Sequence, residues 1–376
     1  MKKFAKMSLV AAVAVAGTVA SAQPLAEAIK NVDVSGTVVY RYDDSTLKNG
    51  TSTVTNKYKI GLTAKAKVND DVTAVTRFIV GADDNGFVAP GGNTQSGADS
   101  QANVALSNVY FSYTGIANTT VNVGKQGLTT PWTVAIDADG NEQTGTGILA
   151  LTNVGPVTVA GAYFNQNNIT GYGDEDIATI GVMGNVGPVA LDAWYLDMSD
   201  SFDSFTVGAA AKFDLDAVKL GVDLRYTDLD LDNSDVDNNM IKLALTAKMG
   251  IFNAKYSFAK TDKEGGLVSL DNDAKTTTLA WGVNPSGKAD ATFHHFRVGA
   301  QVLPSLHLEA NYAEVDYQAS TTNNKEDSQE EIYAQLTYKM SKNFSTYLRY
   351  GTQENKIEGA DTDTDYKGRI QVQYSF

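Results

Sequence analysis

The sequence predicts an all-β fold: a transmembrane antiparallel β-barrel of about eighteen strands, with sixteen as the alternative, carrying one inward-folded constriction loop. Three observations point there. At the end of the chain, Phe376, Tyr374, Val372, Ile370 and Tyr366 share one face while Ser375, Gln373, Gln371, Arg369 and Lys367 share the other. Such period-two alternation defines a strand with one apolar and one polar side. The same alternation recurs along the chain, in segments joined in turn by tight turns and by longer polar stretches. The arginines, finally, keep to the polar parity of their strands, as a wet inner wall requires.

The amino terminus is set aside before the fold is read. Lys2, Lys3 and Lys6 precede an apolar run from Met7 to Ala20 and an Ala20-Ser21-Ala22 cleavage motif. Residues 1–22 therefore read as a Sec signal peptide and 23–376 as one barrel domain. That run is too short for a helical span, and no later segment approaches eighteen consecutive apolar residues. A barrel is compatible with this, because alternating strands average out in hydropathy. The chain has no cysteine, which excludes a disulfide framework and a Cys-based metal site. Its net charge of −14 becomes more negative without the leader, which carries lysines and no acids. No nucleic-acid partner is expected of so acidic a chain.

Pro24 to Lys30 is a short lead-in compatible with a helix. The first strand follows, with Val32, Val34, Val38, Tyr40 and Tyr42 on one face and Asp33, Ser35, Thr37 and Arg41 on the other. It is the natural partner of the last strand when the sheet closes. Eight tight turns come next: Asn69-Asp70-Asp71, Gly115 to Asn118, Gly155-Pro156, Gly187-Pro188, Leu215-Asp216, Met249-Gly250, Pro304-Ser305 and Ser341 to Asn343. Gly, Pro, Asn and Asp are the residues such turns demand. Eight hairpins plus the first and last strands make about eighteen. Between the turns, Tyr58, Ile60 and Leu62 oppose Lys57, Lys59 and Thr63; Ile332, Leu336 and Tyr338 oppose Gln335, Thr337 and Lys339. Thr276 to Trp281 is strand-like but falls in a long loop.

A soluble sandwich also alternates, so alternation alone does not decide the compartment. Arg41, Arg77, Arg225, Arg297, Arg349 and Arg369 all lie on polar parity, Arg77 on a noisier strand. Facing lipid near the midplane, each would cost roughly 2–4 kcal/mol. Together with the leader and the aromatic end, which resembles the insertion signal of bacterial outer-membrane proteins, this favours the outer membrane of a Gram-negative bacterium.

The stretch from Gly124 to Gly147, between the fifth and sixth strands, carries Asp137, Asp139 and Glu142. Folded inward, as the corresponding loop of general porins is, it would set these acids against basic residues of the wall: Arg41, Lys57, Lys59, Arg77, Arg349 and Arg369. A transverse field in a narrow, poorly screened passage follows. The start Pro24-Leu-Ala-Glu-Ala-Ile-Lys-Asn-Val-Asp-Val-Ser-Gly36, then Tyr40-Arg-Tyr-Asp43, resembles the Campylobacter major outer-membrane porin family. Gly124-Lys-Gln126, Ala135-Ile-Asp137 and Gly145-Thr-Gly147 are similar to that family's fifth strand and constriction loop. The resemblance implies a homotrimer of roughly eighteen-stranded, cation-preferring pores that pass ions and small hydrophilic solutes. It also implies that a calcium ion can sit at the constriction, and it carries over Arg41, Lys125 and Asp137. Simple parity turns Lys125 outward with Val121 and Val123, so a bulge or the rim must intervene there.

Other signals are weaker. Asp137 and Asp139 hint at a calcium loop but lack the EF-hand length and terminal Glu, so no cofactor is required. The acidic run Asp228, Asp230, Asp232, Asp235 and Asp237 reads as a solvated surface loop, with divalent bridging to lipopolysaccharide as the alternative. His294 and His295 point to opposite faces, and His307 faces the lumen. Without a Gly-x-Ser-x-Gly elbow or a His beside a nucleophile, an enzyme is not expected. Alternatives to a diffusion pore are a substrate-specific channel, or an adhesin or structural barrel acting through Asp83–Asn103, Lys263–Ala291 and Gln318–Asp327.

Overall fold

The computed structural model describes residues 32–48, 50–81, 86–88, 103–320, 325–360 and 362–376. Residues 1–22, expected as a signal peptide, the lead-in at Pro24–Lys30 and most of the loop from Asp83 to Asn103 lie outside them. Eighteen antiparallel strands form one closed sheet. They are β1 (Val32–Leu47), β2 (Ser52–Lys67), β3 (Val72–Gly81), β4 (Asn103–Tyr113), β5 (Thr119–Gly127), β6 (Thr144–Val154), β7 (Val157–Asn167), β8 (Ile177–Val186) and β9 (Val189–Met198). The second half is β10 (Phe202–Leu215), β11 (Val218–Leu231), β12 (Asn238–Met249), β13 (Phe252–Thr261), β14 (Ala289–Leu303), β15 (Leu306–Ser320), β16 (Lys325–Lys339), β17 (Phe344–Lys356) and β18 (Asp363–Ser375).

Each strand pairs with its sequence neighbours, and β1 pairs with β18 to close the ring. All eight expected tight turns lie together at one rim, and the longer connections lie at the other. The seam is in register from Thr37 opposite Ser375 to Leu47 opposite Asp365. Phe376 then exchanges backbone hydrogen bonds with Gly36, at 2.9 and 3.0 Å. A Cβ at Gly36 would collide with the Gly61 carbonyl and lie 2.8 Å from the Phe376 ring, so only glycine fits beneath that ring.

The walls follow the expected parity along most of their length. In β11, Leu220, Val222 and Leu224 turn outward and Arg225 is buried inside. Towards the long-loop rim the pattern inverts. Outward positions become Asp228 and Asp230, whereas Leu229 is buried on the inner side. The same switch places Met198 and Phe202 inside and Asp197 and Asp203 outside. The cause is twofold: the outer face leaves hydrocarbon for water, and the lumen at this height is filled by loops. The acidic run is thus a strand end as well as a loop, since Asp228 and Asp230 belong to β11.

Two apolar clusters line the inner wall at that level. Leu128 and Trp132 pack on Phe164, Ile177, Leu196, Phe202 and Leu229. Val268 and Val283 pack on Met240, Ala259, Phe293 and Val315. These contacts seat two in-folded segments: L3, residues 128–143, and L7, residues 262–288. Thr276 to Trp281 is indeed loop rather than strand. Lys263–Ala291, expected as a surface loop able to meet other molecules, turns into the lumen instead, because its valines find a complementary apolar wall there.

Candidate pore constriction

L3 crosses the lumen from one wall to the other. Its near end is held by the Trp132 indole N–H, which donates to Ser204 Oγ on β10 at 2.8 Å. Its far end is held by charge. Glu142 is 2 % exposed and receives Lys59 at 2.8 Å and Arg77 through both Nε and Nη2, at 2.9 and 2.7 Å. The Ser107 hydroxyl donates to the same carboxylate at 2.7 Å. Burial alone would raise the Glu142 pKa, but the hydrogen bonds from Arg77 and Lys59 outweigh it and hold the carboxyl below its ordinary range. Asp139 bridges Arg41 and Arg369, at 3.1 and 3.0 Å. Arg41 also lies over the Phe87 ring, 4.1 Å from its centre.

Between Asp137 and Asn141 the loop makes a tight turn. Asp137 N donates to the Asn141 carbonyl at 3.0 Å, and the Asp137 carboxylate accepts from the Asn141 N–H and side-chain amide, both at 2.8 Å. Gly140 takes φ +87° in this turn, a left-handed conformation that glycine adopts freely. The Lys59 ammonium donates to its carbonyl.

L7 braces L3 from the opposite side. Leu270 N donates to the Trp132 carbonyl at 2.9 Å, Thr276 N to the Pro131 carbonyl at 3.0 Å, and the Gln143 amide to the Leu270 carbonyl at 2.9 Å. Asp273 accepts the Ala138 N–H at 2.5 Å. L7 is itself clasped by Glu331 of β16, a buried carboxylate that accepts the N–H groups of Trp281, Gly282 and Val283 at 2.5, 2.9 and 3.3 Å. Burial raises the Asp271 carboxyl to about 6, and nearby Asp137 adds to the shift; Asp273 moves the same way for the same reasons. Neither carboxylate has an ion-pair partner among the described residues.

The remaining candidates fall out as follows. Lys57 pairs with Asp43 at 2.9 Å, as does Arg369 at 2.5 Å. Arg349 stands on the inner wall among Trp281, Tyr333 and Tyr347. Lys125 does not join the constriction. A register shift in the β3–β4 pairing bulges β4 near Ser107, and Lys125 donates to the Leu106 carbonyl at 3.1 Å. It shares its parity with Val123, an exposed outward residue. For calcium the donors do not fit as they stand. Asp137 is engaged by Asn141 and Asp139 by two guanidiniums, and no three acidic or His side chains converge among the described residues. His294 faces out and stacks on Tyr256, while His295 faces in and meets Asn311 at 3.0 Å.

The sequence reading missed Asp43, Ser107, Asp271, Asp273, Trp281 and Glu331. A signal for L7 was present. Phe293 and Val315 sit on the parity opposite their lipid-facing neighbours, which announces something apolar inside.

A closed eighteen-stranded barrel with an apolar outer belt and a charged lumen, narrowed by in-folded loops, is an outer-membrane channel of the porin class. The family model of the Campylobacter major outer membrane protein matches residues 1–177, the family that the sequence motifs resemble. Solved barrels share the fold. Acinetobacter baumannii OccAB3 is 14 % identical with a TM-score of 0.76, over 92 % of this chain and 99 % of that one. Pseudomonas aeruginosa OpdQ gives the same identity, score and coverage. Pseudomonas aeruginosa OccK2 (OpdF), solved in complex with glucuronate, is 12 % identical with a TM-score of 0.75, again over 92 % and 99 %. No curated protein matches the chain. The protein is a non-enzymatic outer-membrane channel of a Gram-negative bacterium.

Proposed function

We propose that the protein is a diffusion porin that prefers cations, works as a homotrimer and needs no cofactor. The observation that carries this is the bracing of L3 and L7 across the lumen. On the wall, Arg41, Lys57, Lys59, Arg77 and Arg369 are already matched by Asp43, Asp139 and Glu142. Asp137, Asp271 and Asp273, which have no ion pair among the described residues, line one cavity of the passage. Hydrated cations gain from that surplus, and poor screening in a narrow space enlarges the effect.

Lys125 supports the trimer. An outward ammonium near the midplane would cost roughly 2–4 kcal/mol in lipid. The wall around it is also low, with strands of 10, 11 and 9 residues in β3, β4 and β5 against 15 in β14 to β16. A neighbouring copy seated there would spare the lysine that exposure. Residues 1–22 direct export through the Sec pathway, and the acidic outer rim faces lipopolysaccharide.

The test is conductance of refolded protein in a planar bilayer, with reversal potential under a salt gradient. Openings in threes with cation preference support the proposal. A silent bilayer with folded protein overturns it in favour of an adhesive or structural barrel.

A further inference from the structure

Arg349 is a cation of the inner wall that has no carboxylate partner among the described residues. Its guanidinium carbon lies 5.0 Å from the centre of the Trp281 ring, 5.1 Å from Tyr333 and 5.5 Å from Tyr347. Its Nε donates to Gln335 at 2.8 Å, and no carboxylate is within ion-pair reach among the described residues. The Trp281 ring also meets Arg369 at 5.8 Å and the Lys367 ammonium at 6.0 Å. Trp281 is held in place, because Glu331 grips its backbone N–H. One side of the passage is therefore a fixed aromatic and guanidinium shelf.

Facing it within one cavity of about 570 Å³ stand Asp137, Asp271 and Asp273. Among the described residues the Asp271 carboxylate accepts only the Asp273 N–H, at 2.7 Å, and the Asp273 carboxylate only that of Ala138. The volume lies within the roughly 300–1,000 Å³ of small-molecule sites. A solute of single charge is attracted at one pole and repelled at the other. One carrying both an ammonium and a carboxylate is matched at both, with ring faces for its carbon skeleton.

We infer that this cavity is a binding subsite for zwitterionic solutes, free amino acids and short peptides, with the carboxylate on Arg349 and the ammonium on Asp271 and Asp273. The inference rests on the porin reading and names its solute class.

The experiment compares three probes in the open wild-type channel at neutral pH. Glycylglycine carries both charges, N-acetylglycine lacks the ammonium, and glycinamide lacks the carboxylate. Glycylglycine is expected to interrupt the ion current saturably, at a half-blocking concentration about tenfold below either control. Arg349→Gln, and separately Asp271→Asn with Asp273→Asn, should each raise that concentration about tenfold. Equal block by N-acetylglycine or by glycinamide, or no saturation by any probe, overturns the inference and leaves the porin reading intact. A silent bilayer overturns both. Where a variant fails to fold, the three-probe comparison on the wild type decides alone.

Discussion

Replacing Glu142 by Gln removes the one negative charge in a buried cluster that holds two cations. Lys59 is 4 % exposed, Glu142 is 2 % exposed, and the Arg77 side chain is 13 % exposed. Breaking a buried pair by removing one partner costs about 3–5 kcal/mol, because the remaining charge is left without compensation. The carboxamide keeps one acceptor oxygen, which retains part of the contact with Ser107 or Arg77. A loss near the lower end, about 3 kcal/mol, is therefore expected. The assay is denaturant unfolding of the lipid-reconstituted protein followed by tryptophan emission. If the tip of L3 lifts and lets water reach Lys59 and Arg77, part of that cost reappears as a wider passage. Single-channel conductance is therefore measured beside stability. An unchanged unfolding midpoint together with unchanged conductance would refute the reasoning. The pH dependence has a definite sign. The Glu142 pKa is depressed, so its contribution is full above the ordinary carboxylate range and is lost only as pH falls through the lower folded value. Mild acid down to pH 5 should leave this anchor intact.

Three further expectations concern other parts of the molecule. Asp271, pushed up to about 6, gains a proton as pH falls from 7 to 5, so cation preference by reversal potential should decline over that window; Asp271→Asn should reduce the decline, and a decline of unchanged size would assign it elsewhere. Glu331→Gln leaves one acceptor oxygen for three N–H groups and should cost about 1–3 kcal/mol, releasing Trp281; greater iodide quenching and noisier open-channel current would show it, and unchanged quenching would contradict it. Gly36→Val puts side-chain atoms where the Gly61 carbonyl and the Phe376 ring lie, so the yield of heat-modifiable, folded barrel should fall sharply; normal yield would mean the seam tolerates a shifted register.

Much of the barrel was legible because lipid and a wet lumen impose one periodicity on both faces. Turn chemistry at Gly155-Pro156 or Ser341–Asn343 and the parity of Arg225 or Arg349 are local properties, readable without knowing any partner. L7 was not legible in that way. Its Val268 and Val283 sit in a polar stretch, and their meaning depends on Phe293 and Val315 across the wall. The match between Glu142 and Arg77 is likewise a product of closure. Sequence placed them on a loop and a wall, but which acid meets which cation depends on where L7 pins L3. Lys125 shows the limit of parity, since the bulge near Ser107 re-aims β4 while Lys125 stays on its outward face.

The seam between β1 and β18 bears on how the channel is made. Arg41 and Arg369, which jointly hold Asp139, stand on the two strands that meet only when the ring shuts. More than three hundred residues separate them in the chain, and the entropy cost of such a closure grows only logarithmically with length. Distance along the polymer is thus a modest obstacle; what the pairing requires is that the two edge strands meet. An unsealed sheet would present an open edge and an L3 tip with half its grip. The narrowing of the passage is consequently complete only once the seam has closed, and a barrel that has not sealed has no finished filter.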